Sequence, residues 1–465
     1  MSPRTTSPVM TSARWHLLLL LTGLALLALP AVLQAQTWGI VEQKVTAADG
    51  AAGDIYGAAV AIDGDLAIVC NEWDDPKGTD SGSIYAYSWD GSAWQFDQKL
   101  TPTDGQGGDN FGRAVWLDGN RAVVTAHWDD DKGNNAGSAY YLEYNGTLWV
   151  QKQKLTASDG QPFDRFGNSV SFEGNWLAIA AWLEDTNGSS AGAVYMFRWN
   201  GSSWVQDQKL QAPDAAGGDQ FGRYVSLSGS KVLIGAWKDD APSTDSGSAY
   251  VFRYNGAEWT LEQKLAAPDG ASQDYFGWGC ALRDDVAVVG AYWDDDLGTN
   301  SGSAYVYRYN GATWNFEQKL LPSDGVAQDW FGYTTVITGN RIVVASMVAP
   351  AGTGSGYAYV FRFNGNQWVE KAKIVPFDGA DQDKFGFHLA ADDGLVLVGA
   401  WRDDDHGSDS GSAYFYRCES LRPPPTLRDV IRRFGKQLGF TPVKPLGGPT
   451  GGPPTPTSSA PGKCW

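Results

Sequence analysis

Aspartate is the residue type in this chain whose spacing is most suited to chemistry. Three runs stand out: Asp129-Asp130-Asp131, Asp294-Asp295-Asp296 and Asp403-Asp404-Asp405. Clustered carboxylates raise one another's pKa and favour a cation, and Ca2+ takes about six to eight oxygens from carboxylates and carbonyls. The competing account is turn chemistry, in which Asp caps a turn and solubilises the surface. A second set (Asp109, Asp164, Asp219, Asp274, Asp329 and Asp383) stands two residues before successive Phe-Gly pairs. These are expected to hydrogen-bond their own turns.

Other chemistries find little support. The chain has 4 His and no His-x-x-x-His pair, which argues against a histidine zinc site. It has no Gly-x-Ser-x-Gly elbow and no phosphate loop. Two carboxylates can hydrolyse a glycoside, but with aspartates in almost every loop such pairs arise without meaning. No catalytic residue is assigned. The 53 acidic residues outnumber 35 Lys and Arg, for a net charge of −18, which makes nucleic acid an unsuitable partner. High Gly (57 of 465 residues) and aromatic content (13%) suit short strands joined by tight turns.

The elements that must position these aspartates follow from an internal repeat. Near-copies of one unit start at Gln43, Gln98, Gln153, Gln208, Gln263 and Gln318, and a seventh at Ala372-Lys373. Six copies carry a Phe-Gly pair: Phe111-Gly112, Phe166-Gly167, Phe221-Gly222, Phe276-Gly277, Phe331-Gly332 and Phe385-Gly386. Copy one has Tyr56-Gly57. Each copy predicts four strands. In copy four these are Gly222–Leu227 (a), Lys231–Trp237 (b), Ser248–Tyr254 (c) and Glu258–Leu265 (d), with Asn255-Gly256 as a two-residue c–d hairpin. Four antiparallel strands repeated seven times predict an all-β, seven-bladed β-propeller. Copy seven lacks strand d, and Trp38–Val45 resembles one, so the N-terminal strand is expected to close the ring.

Alternation places the d-to-a links and the b–c loops on one face, here called the link face. The aspartates gather there. Copy six breaks the pattern with Met347-Val348-Ala349-Pro350. The tryptophans at 94, 149, 204, 259, 314 and 368 share one position and read as packing between blades rather than as sugar platforms. Ala126, Ala181, Ala236, Ala291 and Ala400 are expected where blades approach closely.

Residues 1–35 read as a cleaved signal peptide, with Arg4 and Arg14 before the apolar run Leu17–Leu29. The protein is therefore expected to be secreted or periplasmic, with no membrane span in the mature chain. Export permits disulfides, and Cys418 and Cys464 bracket the tail and are a possible pair. Cys70 and Cys280 lie in apolar strands and read as buried hydrophobes. The propeller is placed at 36–418. The tail, 419–465, is Pro/Gly-rich and basic, and reads as unstructured, with a possible short basic helix over 427–438.

These motifs resemble the FG-GAP repeats that build the propeller of integrin α-subunits. The Phe-Gly pairs match one half of the motif. Gly235-Ala236-Trp237, Gly290-Ala291-Tyr292 and Gly399-Ala400-Trp401 match the other, with an aromatic in place of proline. The resemblance implies extracellular binding or adhesion, often with Ca2+. The integrin-type loop, Asp-x-Asp-x-Asp-Gly in the a–b hairpin, is missing here, so no integrin metal ligand is carried over. Ser243–Tyr250 is similar to the Asp-box of sialidase propellers, but it precedes strand c and reads as a turn.

The expected function is a secreted, monomeric, non-enzymatic module that binds an extracellular protein or carbohydrate through its acidic link face, with Ca2+ as a possible cofactor. A secreted carbohydrate-active enzyme and a purely structural surface protein are the alternatives.

Overall fold

The computed structural model describes residues 38–240, 242–348 and 354–420. The predicted signal peptide, the tail beyond 420, the side chain of Cys418, Cys464 and part of the copy-six loop lie outside the described residues. Among the described residues there are twenty-eight strands, β1 to β28 in chain order, and no helix.

Blade 4 shows how the repeat folds. Strands β14 (Phe221–Ser228), β15 (Lys231–Ala236), β16 (Ser248–Tyr254) and β17 (Trp259–Leu265) form one antiparallel sheet in that order. The run Val232-Leu233-Ile234 is wholly buried, as expected for a strand covered on both faces by neighbouring blades. The a–b turn is the tight one: Ser228 pairs with Lys231, and Gly229 sits at φ 57°. The c–d turn differs from the two-residue hairpin expected at Asn255-Gly256. Tyr254 pairs with Trp259, so the loop has four residues, and only Gly256 takes a positive φ. Asn255 is there for its side chain, whose Oδ1 accepts the amides of Ala257 and Glu258 at 2.9 and 3.0 Å.

Five further sheets repeat this order, and the seventh is assembled from both ends. β1 (Trp38–Val45) pairs with β28 (Ser412–Ser420), which pairs with β27 (Leu395–Ala400) and β26 (Phe385–Asp392). The predicted closure by the N-terminal strand is therefore seen. Tyr416 Oη donates to Glu42 at 2.5 Å across the β1–β28 pair, and Lys44 reaches Asp403 in the β27–β28 loop at 2.8 Å, so side chains also tie β1 to its blade.

Blades meet through three devices. Trp259, 2% exposed, packs with Ala178, Ala180, Val194 and Met196 of blade 3 and with Ile234 and Phe252 of its own blade. This is the packing role expected of the tryptophan column. Gln208 in β13 (Trp204–Leu210) reaches across the outer rim of the same seam. Its Nε2 donates to Trp259 O at 2.9 Å, and its Oε1 accepts from Trp259 N at 2.7 Å. The same amide latch recurs at Gln43, Gln98, Gln153, Gln263 and Gln318. The seventh position is Ala372, so the seam between blades 6 and 7 lacks it.

Glycine makes the third device. A Cβ on Gly235 would stand 1.9 Å from Gly277 O, and one on Gly277 (φ 98°) would stand 2.3 Å from Ser248 O. The Phe-Gly of one blade is thus pressed against the Gly-Ala of the blade before it, a distance only glycine allows. Ala236, Ala291 and Ala400, at 0% exposure, sit at the same seams. Cys70 and Cys280 are buried free thiols, as expected.

Candidate binding face

Each link segment hydrogen-bonds the b–c loop of the blade before it. Gly108 N donates to Thr79 O at 2.8 Å and Phe111 N to Ser81 O at 3.2 Å. The links and b–c loops therefore share a face, as alternation predicted. On this face the outer and axial zones have different chemistry.

The outer zone repeats. In blade 2, Lys154 Nζ lies 2.8 Å from Asp104, 2.7 Å from Asp129 and 2.5 Å from Asp131. Asp129 is 2% exposed and also accepts from Ser138 Oγ at 2.9 Å and Tyr140 Oη at 3.0 Å. Asp130 accepts the Asn135 amide at 2.7 Å. Blade 5 repeats this with Lys319 on Asp269, Asp294 and Asp296, while Asp295 accepts Asn300 N. Blade 7 uses Lys44 on Asp378, Asp403 and Asp405, while Asp404 accepts Asp409 N. Burial alone would lower the pKa of Lys154, but its three carboxylates outweigh burial and raise it. Burial likewise pushes Asp104 up, and Lys154 more than reverses it. In blade 6, where Met347 and Val348 follow strand b, Lys373 keeps Asp324 alone.

The aspartates ahead of Phe-Gly act as expected. Asp109 Oδ2 accepts Gln106 N at 2.7 Å, and Asp164, Asp219, Asp274, Asp329 and Asp383 do the same three residues back. They are buried, and burial pushes Asp109, Asp164 and Asp383 up to about 6.

The axial zone does not repeat. The residue after each glycine of the Phe-Gly position is Ala58, Arg113, Asn168, Arg223, Trp278, Tyr333 and Phe387 in turn. The residue before each pair is Ile55, Asn110, Arg165, Gln220, Tyr275, Trp330 and Lys384, all held at positive φ. The residues that follow strand b add Glu72, His127, Trp128, Trp182, Trp237, Tyr292, Trp293 and Trp401.

On the side of blades 4 to 7 these form a continuous aromatic belt. Trp237 meets Trp278 at 4.8 Å, Trp278 meets Tyr333 at 5.3 Å, Tyr333 meets Phe387 at 5.7 Å, and Phe387 meets Trp401 at 5.6 Å. Trp330 stacks on Tyr333 at 6.5 Å. Arg113 and Arg165 lie on blades 2 and 3, and Arg223 on blade 4, where the belt begins. Arg165 stands over Trp128 at 5.6 Å and Arg223 over Trp278 at 3.9 Å. Among the described residues the indole N–H groups of Trp128, Trp182, Trp278, Trp293, Trp330 and Trp401 are buried without a hydrogen-bond partner, as are those of the packing residues Trp149, Trp204 and Trp259. Glu72 is buried and faces Arg113 and His127 at 3.8 and 3.5 Å. His127 is held neutral, its pKa driven well down by burial and by three nearby arginines.

Matches to the FG-GAP repeat model fall at residues 40–87, 94–142, 149–197, 204–252, 259–307, 314–361 and 368–416, most of the chain. The chain belongs to the FG-GAP repeat family. No curated protein matches it. Each matched FG-GAP unit starts at an outer strand and ends with strand c of the next blade, the same offset that lets β1 complete blade 7.

Within this FG-GAP propeller the nine aspartates considered for Ca2+ are distributed over three blades, and each run is divided internally. The first aspartate faces a lysine and a tyrosine, the second caps its loop, and the third returns to the lysine. An ammonium occupies the point where carboxylates of the loop and link converge, so this donor set does not fit Ca2+. Among the described residues no group of three or more His, Cys, Asp or Glu is placed to hold a metal. The a–b hairpins are equally committed: Asp118 Oδ2 pairs with Arg121 at 2.6 Å and accepts Gly174 N at 3.3 Å.

The lysine was not anticipated from the sequence, although it repeats with the same period as the aspartates. The axial residues were not anticipated either. Their signal is that they change from copy to copy beside motifs that do not.

Proposed function

We propose that this FG-GAP propeller is a non-enzymatic binding module that recognises an extracellular glycan at the axial centre of its link face. One observation carries this reading: the outer Lys–Asp pattern recurs in most blades, whereas the axial positions vary, from Ala58 through Arg113, Asn168 and Arg223 to Trp278, Tyr333 and Phe387. Fold stability needs equivalent residues at equivalent seams, as the Trp column and Gln latches show. Non-equivalent residues gathered on the axis suit one asymmetric ligand. Aromatic faces beside guanidinium groups match the apolar faces and hydroxyls of sugars. The acidic outer ring is neutralised in part by its own lysines, and we assign binding to the centre and make it independent of Ca2+. The N-terminal apolar run supports export to the compartment where such a ligand is met.

The test is retention by immobilised polysaccharides in affinity electrophoresis, with and without EDTA. Trp330→Ala is expected to abolish retardation while leaving the melting curve near the parent's. Equal retardation of parent and variant overturns the assignment to the axial centre.

A further inference from the structure

The axial strands enclose a cavity of about 410 Å3, and Arg113, Asn168, Arg223 and Tyr333 line it. Arg223 is 8% exposed, yet among the described residues its Nε has no hydrogen-bond partner and no carboxylate pairs with it. Burial and the like charge of Arg113 both act against its charged form, and what faces it is the rings of Trp278, Trp182 and Tyr224 at 3.9, 5.4 and 5.8 Å, which carry no negative charge. Arg113 is little better served. Its Nη2 donates to Asn168 Oδ1 at 3.3 Å, its Nε has no partner, and Glu72 is 3.8 Å away. Asn168 is fixed between the two, since its Nδ2 donates to Arg223 O at 3.1 Å.

A buried cation without a counter-charge is costly, and the cost is removed when an anion arrives. The guanidinium fork suits a planar carboxylate better than a point charge would. Trp278 and Tyr333 stand beside it and keep part of their surface in solvent. The far, a–b end of the cavity carries one cation, Arg283, among five carboxylates, Asp63, Asp118, Glu173, Asp284 and Asp392, so an anion approaches from the link face.

We propose that the cavity binds the carboxylate of a uronic-acid residue between Arg113, Asn168 and Arg223. This rests on the glycan reading and adds the charge and position of the sugar it takes.

The experiment follows tryptophan fluorescence of the full chain on titration with sodium D-glucuronate, D-glucose, sodium acetate and sodium sulfate. Glucuronate is expected to bind most tightly, acetate more weakly and glucose least. Arg223→Gln is expected to weaken glucuronate at least tenfold, and Arg223→Lys to recover only part. Arg113→Gln serves as the second variant if Arg223→Gln does not melt as a folded protein. Equal binding of glucose and glucuronate, unchanged in both Gln variants, overturns the carboxylate and leaves the sugar platform standing. Sulfate binding as tightly as glucuronate overturns the uronate in favour of a general oxyanion site. No response to any probe by a chain that melts cooperatively also overturns the proposal. The glycan reading then stands or falls separately on the Trp330-dependent retardation.

Discussion

At the scale of the residue, the aspartates divide into two classes with opposite pH behaviour. Asp109, Asp164 and Asp383 are pushed up to about 6 by burial, against 3.8 for a free side chain. Each binds its proton more tightly in the folded chain, so stability falls as pH rises through the window from about 4 to 6. Asp104, Asp159 and Asp269 are held below 3.8 by their lysines despite burial. Their contribution is present above that value and is lost as pH falls below it. From these two classes the melting temperature is therefore expected to peak near about pH 4 and to decline on either side. The triple variant with Asn at 109, 164 and 383 should flatten the neutral limb, as calorimetry across pH would show.

Removing a lysine tests the clamp itself. Lys319→Met leaves Asp294, 5% exposed at its side chain, without its cation, and is expected to cost about 3–5 kcal/mol in urea unfolding. Addition of Ca2+ to the parent should leave the midpoint where EDTA leaves it. The two aspartate classes were only half legible beforehand. The capping set followed from its place before Phe-Gly, because an Asx turn is a local interaction. The Lys–Asp clusters join residues such as Lys319 and Asp269, 50 apart in sequence, and only the closed blade brings them together.

At the scale of the element, the seams govern stability. Gly277→Ala forces a Cβ into Ser248 O and a side chain into positive φ, and should cost about 3 kcal/mol or more. Gln208→Ala removes two hydrogen bonds to Trp259 and should cost about 1–3 kcal/mol. The reverse change, Ala372→Gln, supplies the latch missing between blades 6 and 7 and is expected to raise the urea midpoint. No gain would mean that this seam has a different register from the other six. Strand order and the a–b turns were readable because period-two alternation and the 55-residue repeat are local patterns. The c–d turn was misjudged because Asn-Gly has two uses. Here the asparagine serves as an acceptor and does not take the left-handed backbone conformation.

At the scale of the whole molecule, the ring separates scaffold from recognition. Seven similar blades fix the radius and the seams, and the axis is where the copies are free to differ. The fold was legible because repetition amplifies weak strand signals seven times. The axial site was not, because its residues are singletons drawn from seven places in the chain. Moving residues 38–45 to follow β28 would make blade 7 contiguous, and such a permuted chain is expected to melt close to the parent.

The same closure imposes an order in time. Glu42 and Tyr416 are 374 residues apart, and a ribosome adding about 5–20 residues per second needs tens of seconds to span that distance. Through that interval the first strand made is the last one seated, with its backbone donors unclaimed. An unpaired edge of that kind seeds aggregation and exchange between chains. Nascent molecules of this protein should therefore be captured by holding chaperones until the final strand emerges, and two crowded nascent chains risk trading their opening strands.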